Sequence, residues 1–154
     1  MKASEIMTTS VITTVENETV AQVARLMAHH RISGLPVVDI HGKLVGLVTE
    51  YDLISRTGQT VGEIMTPGVI SVSPDTDMEE VTHLLTNRRI RRVLVMDGDV
   101  LAGIVSRSDL VKHIAMRWVC PACGETLRTA EAPDKCPRCH APNTFVQDRM
   151  QPGM

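Results

Sequence analysis

The chain has 154 residues, a formal net charge of −2, and is 43% hydrophobic, 22% charged and 2% aromatic. That composition fits a soluble globular protein with a core of Val, Ile, Leu, Met and Ala, and so small a charge gives no global field toward nucleic acid or an anionic membrane. No apolar run approaches the roughly 20 residues of a membrane span, and MKASEIMTTS lacks the apolar centre of a secretory signal, so a cytoplasmic location and no membrane partner are expected.

Val11–Thr14 is short and β-branched, and is predicted as a strand. Asn17 or Thr19 can cap a helix over 20–30, with Val20, Val23, Ala24 and Met27 as its apolar stripe. A strand is predicted over Leu35–Asp39, a turn at His41 and Gly42, and a second strand over Leu44–Val48. Thr49–Ser55 starts a closing helix. The same order of strand, helix, strand, strand, helix recurs over 69–73, 76–88, 92–97, 100–105 and 106–117.

The recurrence is an internal repeat. At an offset of 58, IMTTSVI (6–12) falls on IMTPGVI (64–70), and Val23, Leu26, Arg31, Ile32, Val37 and Asp39 meet Val81, Leu84, Arg89, Ile90, Val95 and Asp97. The offset then drops to 57, so that GLVTEYD (46–52) meets GIVSRSD (103–109). The lost residue lies between DIHGK (39–43) and DGDV (97–100), where a hairpin turn can shorten with both strands in register. Each copy has about 50–58 residues, a size of marginal stability alone. The apolar sheet face of one copy is therefore expected to pack on the other, as a pseudo-twofold pair.

Thr49 with Asp52, and Ser106 with Asp109, have the spacing of a capping box, in which hydroxyl and acid satisfy the first amides of a helix. The same turn also exposes amides that favour a phosphate. A carboxylate one turn on can accept two hydrogen bonds from a ribose. Glu50 after Thr49 would repel phosphate, whereas Arg107 after Ser106 would attract it. Arg88, Arg89, Arg91 and Arg92 in NRRIRR (87–92) suit bidentate phosphate contact, or equally a solvated basic helix end. Where the first copy has Gly34, Leu35 and Pro36, the second has Arg92, Val93 and Leu94. One cleft mouth is then narrower or more charged than the other.

These residues resemble a tandem pair of cystathionine-β-synthase-type (CBS) domains, a Bateman module, across residues 5–115. The resemblance rests on the two IMT openings, GLPVVD (34–39) and the two G-x-x-[ST]-x-x-D stretches. It implies an α+β (α/β) fold, a pseudo-twofold pair of β-α-β-β-α repeats at 1–58 and 59–116. It also implies ribose on Asp52 and Asp109, phosphate near Thr49 and Ser106, and adenine flanked by Thr13 and Ser71. AMP, ADP or ATP is expected as ligand. A homodimer is implied too, for which Val111, Ile114 and Ala115 offer an apolar stripe. His29, His30, His41, His83, His113 and His140 are scattered, and no nucleophile–base pattern or Walker-type loop is present, so no catalysis is expected.

The composition changes at 117–154. Cys120 and Cys123 form one C-x-x-C, Cys136 and Cys139 a second, 12 residues later. Two such knuckles suit one tetrahedral metal, and so short a tail needs one to fold. The tail resembles a zinc ribbon, and more closely the rubredoxin-like domain of rubrerythrins, through Trp118, the cysteines, Gly124, Ala132-Pro133, Pro137, Ala141-Pro142 and Phe145. Thiolates suit zinc and iron alike; zinc is favoured. Tail cations Arg117, Arg128, Lys135, Arg138 and Arg149 barely outnumber Glu125, Glu131, Asp134 and Asp148, and four thiolates around a dication leave the tail slightly negative. A nucleic-acid partner is not expected. The leading expectation is a nucleotide-sensing regulator acting on an unidentified protein partner. The alternatives are an iron redox protein gated by nucleotide and a DNA-binding regulator.

Overall fold

The computed structural model describes residues 1–115, 117–129, 131–142 and 145–147. In the first copy, α1 (Ala3–Ile6) is followed by α2 (Val20–His30), β1 (Gly34–Val38), β2 (Leu44–Thr49) and α3 (Glu50–Ser55). The second copy has α4 (Val61–Ile64), β3 (Ser71–Val72), α5 (Met78–Asn87), β4 (Arg92–Asp97), β5 (Val100–Ser106) and α6 (Arg107–Ala115). The tail adds β6 (Arg117–Val119), β7 (Thr126–Arg128) and β8 (Val146–Gln147), ordered β7-β6-β8. The closing helix thus stops short of the expected residue 117, where the tail's sheet begins. Among the described residues no helix is long and apolar enough to cross a membrane.

The duplication extends to backbone irregularities. β1 pairs antiparallel with β2, and β4 with β5, each with a bulge, between Val37 and Val38 and between Val95 and Met96. Arg31 and Arg89 both take a left-handed φ of 53° after their helices. Thr19, rather than Asn17, caps α2, in a reciprocal box with Gln22. The missing residue does fall in the turn: Asp39 closes five residues by bonding Lys43, whereas Asp97 pairs directly with Val100.

The expected first strand, Val11–Thr14, is reduced to a single parallel bridge, Thr14 to Val37. Its counterpart β3 pairs with β4 at Ser71–Leu94 and Val72–Val95. Leu94 donates its amide to Ile70 at 3.4 Å; Pro36 holds the same place in β1 and has no amide to donate.

Most buried apolar residues of the two copies fall into two clusters, one for each copy. Each is completed by the short helix that precedes the other copy. Ala3 of α1 packs with Met78, Val81 and Leu85 of α5 and Val93, Val95 and Val105 of β4 and β5. Val61 and Ile64 of α4 pack with Val23, Met27, Leu35, Val37 and Val48. Full burial is worth about 1.5–3 kcal/mol for each of Val61 and Ile64, whereas Ala3 is the one fully buried residue of α1. α4 is therefore the better anchored of the two.

The IMT segments continue the exchange. Thr8 exchanges hydrogen bonds of 2.9 and 3.0 Å with Ile104 of β5, and Thr66 bonds of 2.8 and 3.0 Å with Leu47 of β2. They cross over the glycines of the repeated stretch. A Cβ on Gly103 would lie 2.6 Å from Met7 Sδ and 2.9 Å from Thr8 O; one on Gly46, 2.9 Å from Met65 Sδ and 3.0 Å from Thr66 O. Glycine is required there for close approach of another chain segment.

Candidate functional site

Two clefts lie where the exchanged segments meet the strand-to-helix turns. One, of about 550 Å³, is lined by Ser106, Arg107 and Asp109 together with Ser10, Val11, Ile12 and Arg31 from the first copy. The other, of about 620 Å³, is lined by Thr49, Glu50, Tyr51 and Ile54 together with Val69, Ile70 and Arg89 from the second. Ser33, Arg91 and Arg92 line both. Each cleft therefore has hydroxyl and turn from one copy and helix-end arginine from the other.

The capping box is reciprocal at the first turn, where Thr49 Oγ1 also accepts from Asp52 N at 3.3 Å; at the second turn the carboxylate makes its half, and Ser106 Oγ also lies 2.7 Å from Ser108 Oγ. Asp52 Oδ2 accepts from Thr49 N at 2.9 Å and Thr49 Oγ1 at 3.0 Å. Asp109 Oδ2 accepts from Ser106 N and Oγ, both at 2.8 Å. The second oxygens differ. Asp52 Oδ1 accepts from Thr66 Oγ1 at 3.3 Å and faces Arg56 Nε at 3.5 Å, and Asp52 does not line its cleft. Asp109 does line its cleft, and its Oδ1 has Lys112 Nζ at 3.9 Å. Asp52 is engaged within the fold on both oxygens, whereas Asp109 lines its cleft beside an exposed lysine.

The arginines also divide. Arg91 Nη1 bonds Glu50 Oε1 at 2.9 Å with both side chains well exposed, so the carboxylate expected to repel phosphate is paired across the two copies. Arg107 turns back on the end of α5, donating to Ile90 O at 3.2 Å and Leu85 O at 3.4 Å. Arg92 is half-buried and donates to the carbonyl and the hydroxyl of Ser33. Burial holds its guanidinium below the ordinary value, and Arg91 pushes the same way. Its Nη1 occupies the place of a Cβ on Gly34, its own repeat partner.

Thr13 and Ser71 are exposed and line neither cleft. The chain passes the cavities one or two residues earlier, at Val11–Ile12 and Val69–Ile70, before it meets the sheet edge at Thr14 and Ser71. Arg31 and Tyr51 are lining residues that the sequence reading omitted. Arg31 was within reach as the repeat partner of Arg89. Tyr51, 72% exposed beside Ile54, had no periodic signal.

The four cysteines meet in the tail, with their sulfurs all within 4.8 Å of one another, and they are the His/Cys/Asp/Glu group placed for a metal among the described residues. Sγ separations are 3.7 Å for Cys120–Cys139 and 3.6 Å for Cys123–Cys136. The knuckles repeat one pattern. Gly124 N bonds Cys120 O at 2.8 Å and His140 N bonds Cys136 O at 2.9 Å, with φ of 75° at Gly124 and 62° at His140. Without a cation the thiols compete. The Glu125 amide favours the Cys123 thiolate, but burial and three neighbouring sulfurs outweigh it, and its pKa is pushed up to about 12. Burial works against the Cys136 thiolate too, yet the amides of Cys139 and Arg138 pull it below its ordinary value. A tetrahedral dication reverses that competition by binding thiolates. The donor set therefore fits zinc or iron.

The family model described as CBS domain matches residues 3–57 and 61–116, and that described as rubrerythrin, rubredoxin-like domain matches 118–145. CBS domain-containing protein YhcV of Bacillus subtilis (strain 168) is 36% identical over 113 residues, 69% of this chain and 80% of its own. Three longer curated relatives are spanned over 22% to 32% of their length. The structure of CBSX2 of Arabidopsis thaliana in complex with AMP has a TM-score of 0.69 at 28% identity, over 72% of this chain and 93% of its own. The CBS domain pair of protein MJ0100, in complex with 5′-methylthioadenosine and S-adenosyl-L-methionine, has a TM-score of 0.68 at 31% identity, over 73% and 94%.

Proposed function

The chain belongs to the CBS-domain family, and from that premise we propose that it is a cytoplasmic regulatory protein, not an enzyme, that senses an adenine nucleotide. Its ligand is AMP, ADP or ATP, bound first in the cleft of Ser106 and Asp109. The observation that carries this reading is that Asp109 lines its cleft, its Oδ1 held by the exposed Lys112 at 3.9 Å, whereas Asp52 does not line its cleft and has both oxygens engaged within the fold. A ribose diol can donate to Asp109, and Ser106 and Arg92 are the proposed phosphate partners. AMP in CBSX2 and adenosyl ligands in the MJ0100 pair support the ligand class. The arginines at the clefts favour an anion over S-adenosylmethionine.

The domains follow the repeat, 1–58 and 59–116, with a metal-bound ribbon over 117–154. Zinc is the proposed ion, in a structural role, and the ribbon passes the ligand state to a protein partner. Calorimetry with AMP tests the nucleotide reading. Asp109→Ala should weaken binding by about tenfold or more, the loss of charge-assisted hydrogen bonds worth about 1.5–3 kcal/mol. Asp52→Ala should lower stability and alter affinity less, because it removes a cap but no cleft-lining carboxylate. Equal affinity in wild type and Asp109→Ala, or tighter binding of S-adenosylmethionine than AMP, refutes it.

An iron centre that carries electrons is the second reading. It is favoured by the rubredoxin-like match and by Cys139, the one exposed sulfur ligand among three that are more shielded. Metal analysis with a visible spectrum separates the two.

A further inference from the structure

Two cations line both clefts, Arg91 and Arg92. Arg91 is exposed and already paired with Glu50. Arg92 is half-buried, and its hydrogen bonds go to neutral oxygens of Ser33. Arg31 and Arg89 line one cleft each and are exposed, where salt screens them. Near twofold symmetry would call for two arginines at the Arg92 position, one from each copy. The partner position is Gly34, and even a Cβ there would overlap the Arg92 guanidinium. The joint between the copies holds one such group and no more.

Resting on the nucleotide reading above, we propose that the two clefts compete for Arg92, so that phosphate bound in one weakens phosphate binding in the other. The first phosphate neutralises the guanidinium and orders its donors toward that cleft. A second anion then meets a compensated arginine and, across it, another anion at reduced dielectric. Ligands without phosphate feel neither effect. The pair then registers nucleotide over a wider concentration range than two independent sites would.

The test is calorimetry on the full chain with AMP and, as the uncharged probe, adenosine. The ratio of second to first dissociation constants should be at least about tenfold larger for AMP than for adenosine, equivalent to about 1.4 kcal/mol. Arg92→Gln should bring the AMP ratio down to the adenosine ratio. One AMP per chain in wild type and two in Arg92→Gln is the limiting form of the same result. Equal ratios for AMP and adenosine in wild type, or an AMP ratio unchanged by Arg92→Gln, overturn the inference alone. Absence of AMP binding at either cleft overturns the nucleotide reading and this inference with it. Should Arg92→Gln unfold, Gly34→Ala replaces it: the new methyl evicts the guanidinium from Ser33 without changing any charge, and the same two outcomes decide.

Discussion

Replacing Gly103 by Ala tests the exchange of segments between the two copies. The added methyl meets Met7 Sδ at 2.6 Å and Thr8 O at 2.9 Å, where carbon contacts are comfortable at about 3.5–4.0 Å. The Met7 side chain can swing away. Thr8 O cannot, because it accepts from Ile104 N at 3.0 Å while Thr8 N donates back at 2.9 Å. Overpacking of this kind costs about 1–3 kcal/mol, and the stiffer unfolded chain offsets about 0.4–1 kcal/mol of it. The net loss is then about 1–2 kcal/mol. With a urea slope of about 2 kcal/mol per molar, the midpoint falls by about 0.5–1 M. Gly46→Ala should fall less, since its nearest backbone oxygen is 3.0 Å away. Hydrogen exchange should show residues 1–9 loosening first in Gly103→Ala, because α1 has a single fully buried residue to hold it. An unchanged midpoint, or a larger loss in Gly46→Ala, refutes the reasoning.

Cys136→Ser should unfold the ribbon after about residue 118 and leave residues 6–115 protected in hydrogen exchange, because metal binding of about 10–16 kcal/mol decides the folding of so small a unit. Loss of protection across 6–115 would show one cooperative unit instead. His140→Gly should tighten zinc binding by about two- to fivefold in a chelator competition, since a side chain at a left-handed φ costs about 1–2 kcal/mol and glycine's greater freedom in the unfolded chain returns part of that. Unchanged or weaker binding refutes it. The protein should scatter light as a homodimer. Val111 is 65% exposed on α6 and Ala115 is exposed beside it, while the Ile114 side chain lies outside the described residues. A concentration-independent monomer refutes this.

The elements were legible because each copy carries its own local signals: Thr19 and Thr49 as caps, short apolar and β-branched runs for the strands, and Gly42 and Gly98 in the turns. The cysteine cluster was legible from spacing alone. Tertiary exchange was not. Aligning two copies shows that Ile6 equals Ile64, but it is blind to which copy's core either one enters. Side-chain aim was likewise hidden. Arg107 reads as a phosphate ligand by position, yet it satisfies the carbonyls of Leu85 and Ile90. Asp52 and Asp109 are equivalent in sequence and differ in the structure because the Thr66 hydroxyl and Arg56 meet the second oxygen of Asp52, whereas that of Asp109 has the exposed Lys112 at 3.9 Å. Pro36 was visible throughout; its effect on the neighbouring strand required knowing which amide that strand needed.

The exchanged helices set an order of assembly. The first core draws on residues from Ile12 to Met65, a continuous stretch of chain. During synthesis it can close as soon as that stretch is available. The second core runs from Val72 to Leu110 but also needs Met1, Ala3, Ile6 and Met7. Those residues are made early and placed late, and they must wait unpaired while the first unit forms. The long loop they close raises contact order and slows that step. Moving residues 1–9 to a position after α6 by circular permutation would make both units continuous, and the late phase of refolding would merge with the early one.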